Sequence, residues 1–222
     1  MSNIRIYAAS DTHTLHRKIQ IPECDIFLHA GDITDRGEEK TIWDFMDWLR
    51  EIPAKHKVFI AGNHDFCFQK NRAVVGSSLV DGIHYLEHNM VMIEGIKIFG
   101  TPWTPYFYDW AFNGTDKEEG DGYGPNLNRL FGQIPDDIDI LLTHGPSAHI
   151  LSTNERGEEC GSNMLHDHLV RIKPKVHIHG HIHESYGHTE IDWGNNRVTN
   201  VYNVSSLHRD YITSRPATRI EL

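Results

Sequence analysis

Five short apolar runs in this 222-residue chain end in the same kinds of polar residue, and that repetition constrains the fold more than any other feature. The run Ile4 to Ala9 leads into Asp11 and His13, and Asp25 to Ala30 leads into Asp32. Lys57 to Ala61 leads into Asn63 and His64, Ile138 to Leu142 into His144, and Val176 to His179 into His181 and His183. Runs of this length and apolar content read as short buried strands. In α/β sheets, ligands collect beyond the carboxyl ends of the strands. One strand ending in Asp or His would mean little, whereas five predict a single polar site on one edge.

Between the strands the sequence predicts two helices. Ile42, Phe45, Met46 and Leu49 share a helical face, with Glu38 and Glu39 at the positive end and Pro53 beyond the other. Ser162 is placed to cap a second helix, with Leu165, Leu169 and Ile172 on one face and Pro174 just past it. Ile83 to Gly100 reads as a β-meander containing a tight Glu94-Gly95 hairpin. Thr101 to Phe112 is densely aromatic, and Asn113 to Gly124 reads as a solvated loop. The tail returns to strand patterns, with Gly194-Asn195-Asn196 as a turn. No repeat or linker divides the chain, so residues 1–222 are expected to form a single domain.

Histidine is unusually abundant, at 17 residues, and several sit where apolar runs end. The formal charge of −10, from 31 acids against 21 bases, disfavours extended binding to a nucleic-acid backbone, which needs a basic surface. Cys24, Cys67 and Cys160 are widely spaced and form no Cys-x-x-Cys, so neither a disulfide framework nor a thiolate zinc site is indicated. The N-terminus runs straight into a strand pattern, and no apolar window is long enough to span a bilayer. A cytoplasmic protein with no membrane partner is therefore expected.

Two carboxylates, one amide oxygen and four imidazoles form a mixed oxygen and nitrogen donor set. It suits hard-to-borderline divalent ions such as Mn²⁺, Fe²⁺, Zn²⁺ or Mg²⁺. Seven protein donors are too many for one such ion but fit two ions sharing a carboxylate. Two divalent cations outweigh two carboxylates, so the site can attract phosphate on an acidic protein.

Asp-x-His, Gly-Asp-x-x-Asp-Arg-Gly, Gly-Asn-His-Asp, Thr-His-Gly and Gly-His-x-His occur in that order between Asp11 and His183. The set resembles the calcineurin-like metallophosphoesterase superfamily. Ser-Asp-Thr-His, His-Ala-Gly-Asp-Ile-Thr-Asp-Arg-Gly, the aromatic Gly100 to Asn113 segment and Gly-His-Ile-His-Glu-Ser-Tyr-Gly are more closely similar to its metallophosphoesterase-domain-containing, adult-brain 239-like members. The resemblance implies an α/β four-layer αββα sandwich, two mixed β-sheets flanked by helices. It implies two divalent ions, with Mn²⁺ expected and Fe²⁺, Zn²⁺, Ni²⁺ or Mg²⁺ as alternatives. By analogy Asp11, His13 and His183 hold the first, Asp32 bridges, and Asn63, His144 and His181 hold the second. His64 becomes the general acid for the leaving oxygen, oriented and charge-stabilised by Asp35, while Asn63, His64 and Arg36 contact substrate.

The implied activity is a phosphodiesterase acting on cyclic nucleotides or generic phosphodiesters, with a metal-bridging hydroxide as nucleophile. A nuclease or phosphomonoesterase on the same site, or a non-catalytic scaffold, are the alternatives. The expected partner is a small phosphodiester or nucleotide, and no oligomeric state is implied. Asp65 is expected to brace the elbow at Asn63. His177 and His179 share one strand face, and like His29 read as structural residues or supports of ligands. His16, His56, His166 and His168 are expected to be solvated. The aromatic stretch from Trp103 to Phe112 is expected to pack locally, with ring stacking on a nucleobase as its functional alternative.

Overall fold

The computed structural model describes residues 4–71, 82–117, 122 and 124–222. The first half builds one sheet. Strand β1 (Ile6–Ala9) pairs in parallel with β2 (Cys24–His29), β2 with β3 (Ala54–Phe59), and β3 with β4 (Ile83–Tyr85). The late strand β13 (Thr218–Ile220) returns antiparallel to β1 and completes five strands in the order β13-β1-β2-β3-β4.

The second sheet is built from β5 (Asn89–Ile93), β6 (Ile96–Thr101), β9 (Ile140–Thr143), β10 (Val176–His179), β11 (Gly187–Asp192) and β12 (Val198–Asn203). Its six strands lie in the order β11-β12-β10-β9-β6-β5. Strands β6, β9, β10 and β12 run parallel to one another, so their carboxyl ends lie on one edge. The Glu94-Gly95 hairpin joins β5 to β6 with both turn residues at positive φ (50° and 82°), the backbone of a tight two-residue turn.

The expected meander over Ile83 to Gly100 is not formed. Strand β4 belongs to the first sheet and β5 and β6 to the second, so the chain crosses between sheets after Tyr85. Apolar runs reveal strands but not which sheet receives them. Of the polar loop expected from Asn113 to Gly124, residues 118–121 and 123 lie outside the described residues. Its start forms β8 (Asn113–Gly114), which pairs with β7 (Thr104–Pro105) in a small separate ladder.

Alternation within the strands explains the layers. Ile6, Ala8, Ile26, Leu28 and Val58 from the first sheet meet Ile98, Ile140, Leu142, Val176 and Ile178 from the second in a shared buried core. The opposite face of the first sheet, with Phe27 and Phe59, packs on helix α1 (Glu39–Glu51) through Ile42, Phe45, Met46 and Leu49. The short helix α2 (Phe66–Lys70) adds Cys67 and Phe68 to the same cluster. The outer face of the second sheet, with Phe99 and Leu141, packs on α3 (Leu127–Phe131) and α4 (Asn163–Ile172). Helix, sheet, sheet and helix thus stack in four layers, an αββα sandwich.

Ser162 caps α4 as its sequence position suggests, accepting from the Leu165 N–H at 2.9 Å. Asp116, far away in sequence, adds a carboxylate that accepts from the Asn163 and Met164 N–H groups at the same positive end. Among the described residues no helix is long and apolar enough to cross a membrane.

Candidate metal centre

The parallel strands deliver their polar ends to one place. Asp11 and His13 follow β1, Asp32 follows β2, Asn63 and His64 follow β3, His144 follows β9, and His181 and His183 follow β10. Ligating atoms of Asp11, His13 and His183 lie within 4.8 Å of one another, as do those of Asp32, His144 and His181. His13, Asp32 and His64 form a third such group between them. Asn63 joins the second group, its Oδ1 lying 2.8 Å from His144 Nε2. Asp32 Oδ2 is 3.3 Å from His144 Nε2 and 3.7 Å from His13 Nε2, which places this carboxylate between the two clusters.

The backbone is bent to achieve this. Asp11, His13, Asp32 and His181 all have positive φ, between 37° and 70°, a region uncommon for non-glycine residues. Such strain persists where surrounding structure over-determines it, and it clusters at functional sites. Close approach does the rest. A methyl group at Gly62 would overlap Asp32 Oδ1 and the His144 ring, and one at Gly180 would overlap Ser10 Oγ and Asp11 Oδ2. These motif glycines are required for space, because the carboxylates lie directly against their Cα atoms. Gly180→Ala is expected to displace Asp11 and weaken divalent-metal binding about 10–100-fold, the range for loss of a group that orients a ligand. Isothermal titration of the metal-free protein with Mn²⁺ would measure it.

Groups behind the cluster fix its orientation. His144 Nδ1 donates to the Ala30 carbonyl at 2.9 Å, and His183 Nδ1 donates to the Leu207 carbonyl at 3.1 Å. Each therefore presents Nε2 to the site. Asp11 accepts from Ser205 Oγ at 2.9 Å, from Ser10 Oγ, and from the His181 N–H at 3.0 Å. Asp65 is fully buried and accepts from the N–H groups of Ile33, Thr34 and Gly62. It ties the Asp32 loop to the elbow at Asn63 and takes no place among the metal-ligating groups.

Electrostatics match a cation site. Burial disfavours a charged Asp32, but the imidazoles of His144, His64 and His13 outweigh it and hold the carboxyl well below its usual range. For His144, burial is opposed and overcome by Asp32 and Asp11, which push its pKa up to about 9. Burial pushes His181 down to about 3, so its ring nitrogen is an open lone pair. His13 Nε2 is buried without a hydrogen-bond partner, the condition of a ligand aimed at a cation. Buried carboxylates, imidazole nitrogens and one amide oxygen, with no thiolate, fit hard-to-borderline divalent ions. The donor set divides into two groups, with Asp32 in the second and 3.7 Å from His13 of the first.

The other candidate residues are placed as follows. His64 is half-buried, its backbone N–H donating to Asp32 Oδ1 at 2.9 Å and its Nδ1 lying 2.7 Å from the backbone carbonyl of Asp35. The Asp35 carboxylate, expected at His64, points instead to His13, with Oδ1 3.5 Å from His13 Nδ1. Arg36 is exposed and lies over the Trp110 ring, with Cζ 5.1 Å from its centroid. Within the aromatic stretch Phe112 is buried, Tyr106, Phe107 and Tyr108 are exposed, and Trp110 packs on His64.

His29 is a satisfied core histidine. Its Nδ1 accepts from the Gly31 N–H and its Nε2 lies 3.2 Å from Thr12 Oγ1. His177 and His179 are fully buried on the outer face of β10. His16, expected to be solvated, is also fully buried, because Asp44 on α1 reaches its Nε2 at 2.9 Å and Phe45 and Trp48 cover the ring.

Sequence reasoning missed a sixth strand end. Strand β12 runs parallel to β10 and delivers Ser205 and the Leu207 carbonyl to the same edge. The signal was the alternation from Val198 to Tyr202 followed by Asn203 and Ser205-Ser206. Tyr211, from the next loop, sets its ring 4.8 Å from His183 and 5.1 Å from His13.

Comparison with known proteins agrees with this geometry. Human and mouse metallophosphoesterase domain-containing protein 1 are each 33% identical over 208 residues, covering 82% of this chain and 61% of theirs. This chain therefore spans less than two thirds of the length of those relatives. A UPF0046 protein of Caenorhabditis elegans is 31% identical over 199 residues, covering 77% of this chain and 48% of its own. Among solved structures, TT1561 of Thermus thermophilus superimposes with a TM-score of 0.63 at 13% identity, covering 92% of each chain, a likeness of fold. The family model described as calcineurin-like phosphoesterase matches residues 4–185, a span that holds every candidate ligand on the paired sheet edges. The chain belongs to the calcineurin-like phosphoesterase family.

Proposed function

We propose that this protein is a metal-dependent phosphoesterase that hydrolyses phosphodiesters, cyclic nucleotides or small generic diesters among them. The observation that carries the reading is the pair of adjacent His/Asp donor clusters with Asp32 between them, and His64 beside them, hydrogen-bonded through Nδ1 to a backbone carbonyl. Asp11, His13 and His183 would hold one divalent ion and Asn63, His144 and His181 another, with Asp32 serving both, and such ions would supply Lewis-acid charge and lower the pKa of water.

The chain's own groups do the rest. In this reading Asn63 and His64 contact the phosphoryl group, and His64 stands where a leaving oxygen departs. The P–O bond to the leaving group breaks with its electron pair on that oxygen, which takes the Nε2 proton of His64. Water supplies the new oxygen on phosphorus and loses a proton to solvent. A diester presents one negative charge to this site, and in this reading the exposed Arg36 contacts a phosphoryl oxygen.

The acidic balance of the chain favours small substrates over nucleic acid. A panel of 2′,3′-cyclic AMP, bis(p-nitrophenyl) phosphate and p-nitrophenyl phosphate, assayed with Mn²⁺, Fe²⁺, Ni²⁺, Zn²⁺ and Mg²⁺, tests the reading. The two diesters are expected to be hydrolysed faster than the monoester with at least one metal. Turnover of the monoester alone would overturn the diester assignment.

A further inference from the structure

We propose that Trp110 is a positioning residue for His64. Together with the Asp35 carbonyl, its indole holds the imidazole in one orientation and one tautomer, with Nε2 as the nitrogen that exchanges a proton with substrate. The proposal rests on the phosphoesterase reading above and deepens it.

The contact at Nδ1 fixes the tautomer. The Asp35 carbonyl, 2.7 Å away, can only accept, so Nδ1 carries a hydrogen. When Nε2 gives its proton to a leaving oxygen, the neutral form that remains is the Nδ1–H tautomer already bonded to Asp35. No rotation of the ring is needed to settle the product state. Because a backbone atom supplies this bond, it does not depend on a carboxylate at position 35.

One hydrogen bond does not define a ring plane, since the imidazole can swing about it. Trp110 removes that freedom. Its ring lies 4.1 Å from the His64 ring, centroid to centroid, at an interplanar angle of 33°. On another side the His13 ring approaches edge-on at 4.7 Å and 89°. Trp110 is in turn fixed by three contacts. The Arg36 guanidinium lies over its ring, the Phe66 ring lies 5.9 Å away, and the neighbouring Ala111 N–H donates to the Asn63 carbonyl at 2.9 Å.

That last bond ties the aromatic stretch to the residue preceding His64. The small β7–β8 ladder closes the stretch from its far side, with Thr104 N–H donating to the Phe112 carbonyl at 3.0 Å. The indole has one N–H donor and no acceptor, so it takes no part in the proton transfer. Its effect is geometric, and misplacing a reacting group by about 1 Å costs on the order of 100-fold in rate.

The test uses the full chain loaded with Mn²⁺ and carries Trp110→Ala and Trp110→Phe in wild-type and His64→Ala backgrounds. Substrates are 2′,3′-cyclic AMP, whose leaving group is an alkoxide, and bis(p-nitrophenyl) phosphate, whose leaving group departs without a proton. Trp110→Ala is expected to lower kcat for the cyclic nucleotide about 10–100-fold with KM changed less than about threefold, and to spare the aryl diester. Trp110→Phe should restore most of the loss, and Trp110→Ala should cost nothing further once His64 is absent. Equal losses on both substrates, a change in KM alone, or an additional loss in the His64→Ala background would overturn the proposal.

Failure of the phosphoesterase reading looks different, because the wild type would then hydrolyse neither substrate. Nitrogen NMR of the Zn²⁺-loaded protein decides the proposal in that event. His64 should keep its hydrogen on Nδ1 in all three proteins, with one set of ring resonances in the wild type and in Trp110→Phe and several or exchange-broadened sets in Trp110→Ala. A His64 signal unchanged by Trp110→Ala would overturn it.

Discussion

Alanine in place of His64 is expected to leave about two divalent ions bound per chain while slowing hydrolysis of an alkyl phosphodiester about 10²–10⁴-fold, the range for loss of a general acid. An aryl diester such as bis(p-nitrophenyl) phosphate should be hydrolysed at nearly the wild-type rate, because p-nitrophenolate needs no proton to depart. The geometry gives this experiment a second edge. His64 lies within ligating range of Asp32 and His13, so it also qualifies on distance as a metal ligand. Its Nδ1, however, is already bonded to the Asp35 carbonyl, and a metal on Nε2 would leave no atom for proton transfer. Loss of an ion in His64→Ala would make it a ligand. Wild-type hydrolysis of the alkyl diester would remove it from the mechanism.

The second large effect is expected at Asp32. This carboxylate is nearly fully buried between the clusters, with His144 and His13 imidazoles on either side and the His64 N–H on its other oxygen. A carboxylate bridging two ions, as proposed for Asp32, would serve both, so Asp32→Ala should reduce bound metal from about two ions to well below one and abolish hydrolysis of every diester. Asp11→Ala should instead affect the first cluster most, reaching the second only through the lost His181 N–H bond. Metal analysis after dialysis distinguishes them. Retention of one tightly held ion in Asp32→Ala would show that the carboxylate belongs to a single cluster.

Much of this was legible from sequence because of where the residues fall along it. Each candidate ligand follows an apolar run by two or four residues, and the parallel strands carry those run ends to a common edge. The helices were legible for a similar reason, since Ile42, Phe45, Met46 and Leu49 repeat at helical spacing and Ser162 has only its own helix to cap.

What escaped was supplied by backbone atoms or by distant partners. The Ala30, Asp35 and Leu207 carbonyls orient three imidazoles and leave no signature in residue type. Asp35 looked like a side-chain partner of His64, and its carbonyl makes that contact instead. His16 sits among polar neighbours in sequence, and its burial depends on Asp44 and Trp48, which α1 brings against it from about thirty residues away. Strand β4 was indistinguishable from the following hairpin by pattern, because alternation reports a half-buried strand without naming its sheet. Ser205 stands at the end of a sixth strand and supports Asp11 through a hydroxyl, a residue type too common after strands to single out by sequence.

Under the proposed function, two ions served by Asp32 act together on one phosphodiester. Metal-free protein titrated with Mn²⁺ while bound metal and hydrolysis of bis(p-nitrophenyl) phosphate are read in parallel tests it most directly. Activity is expected to rise with the second ion and to saturate at about two ions per chain. Full activity at one ion or fewer would contradict it.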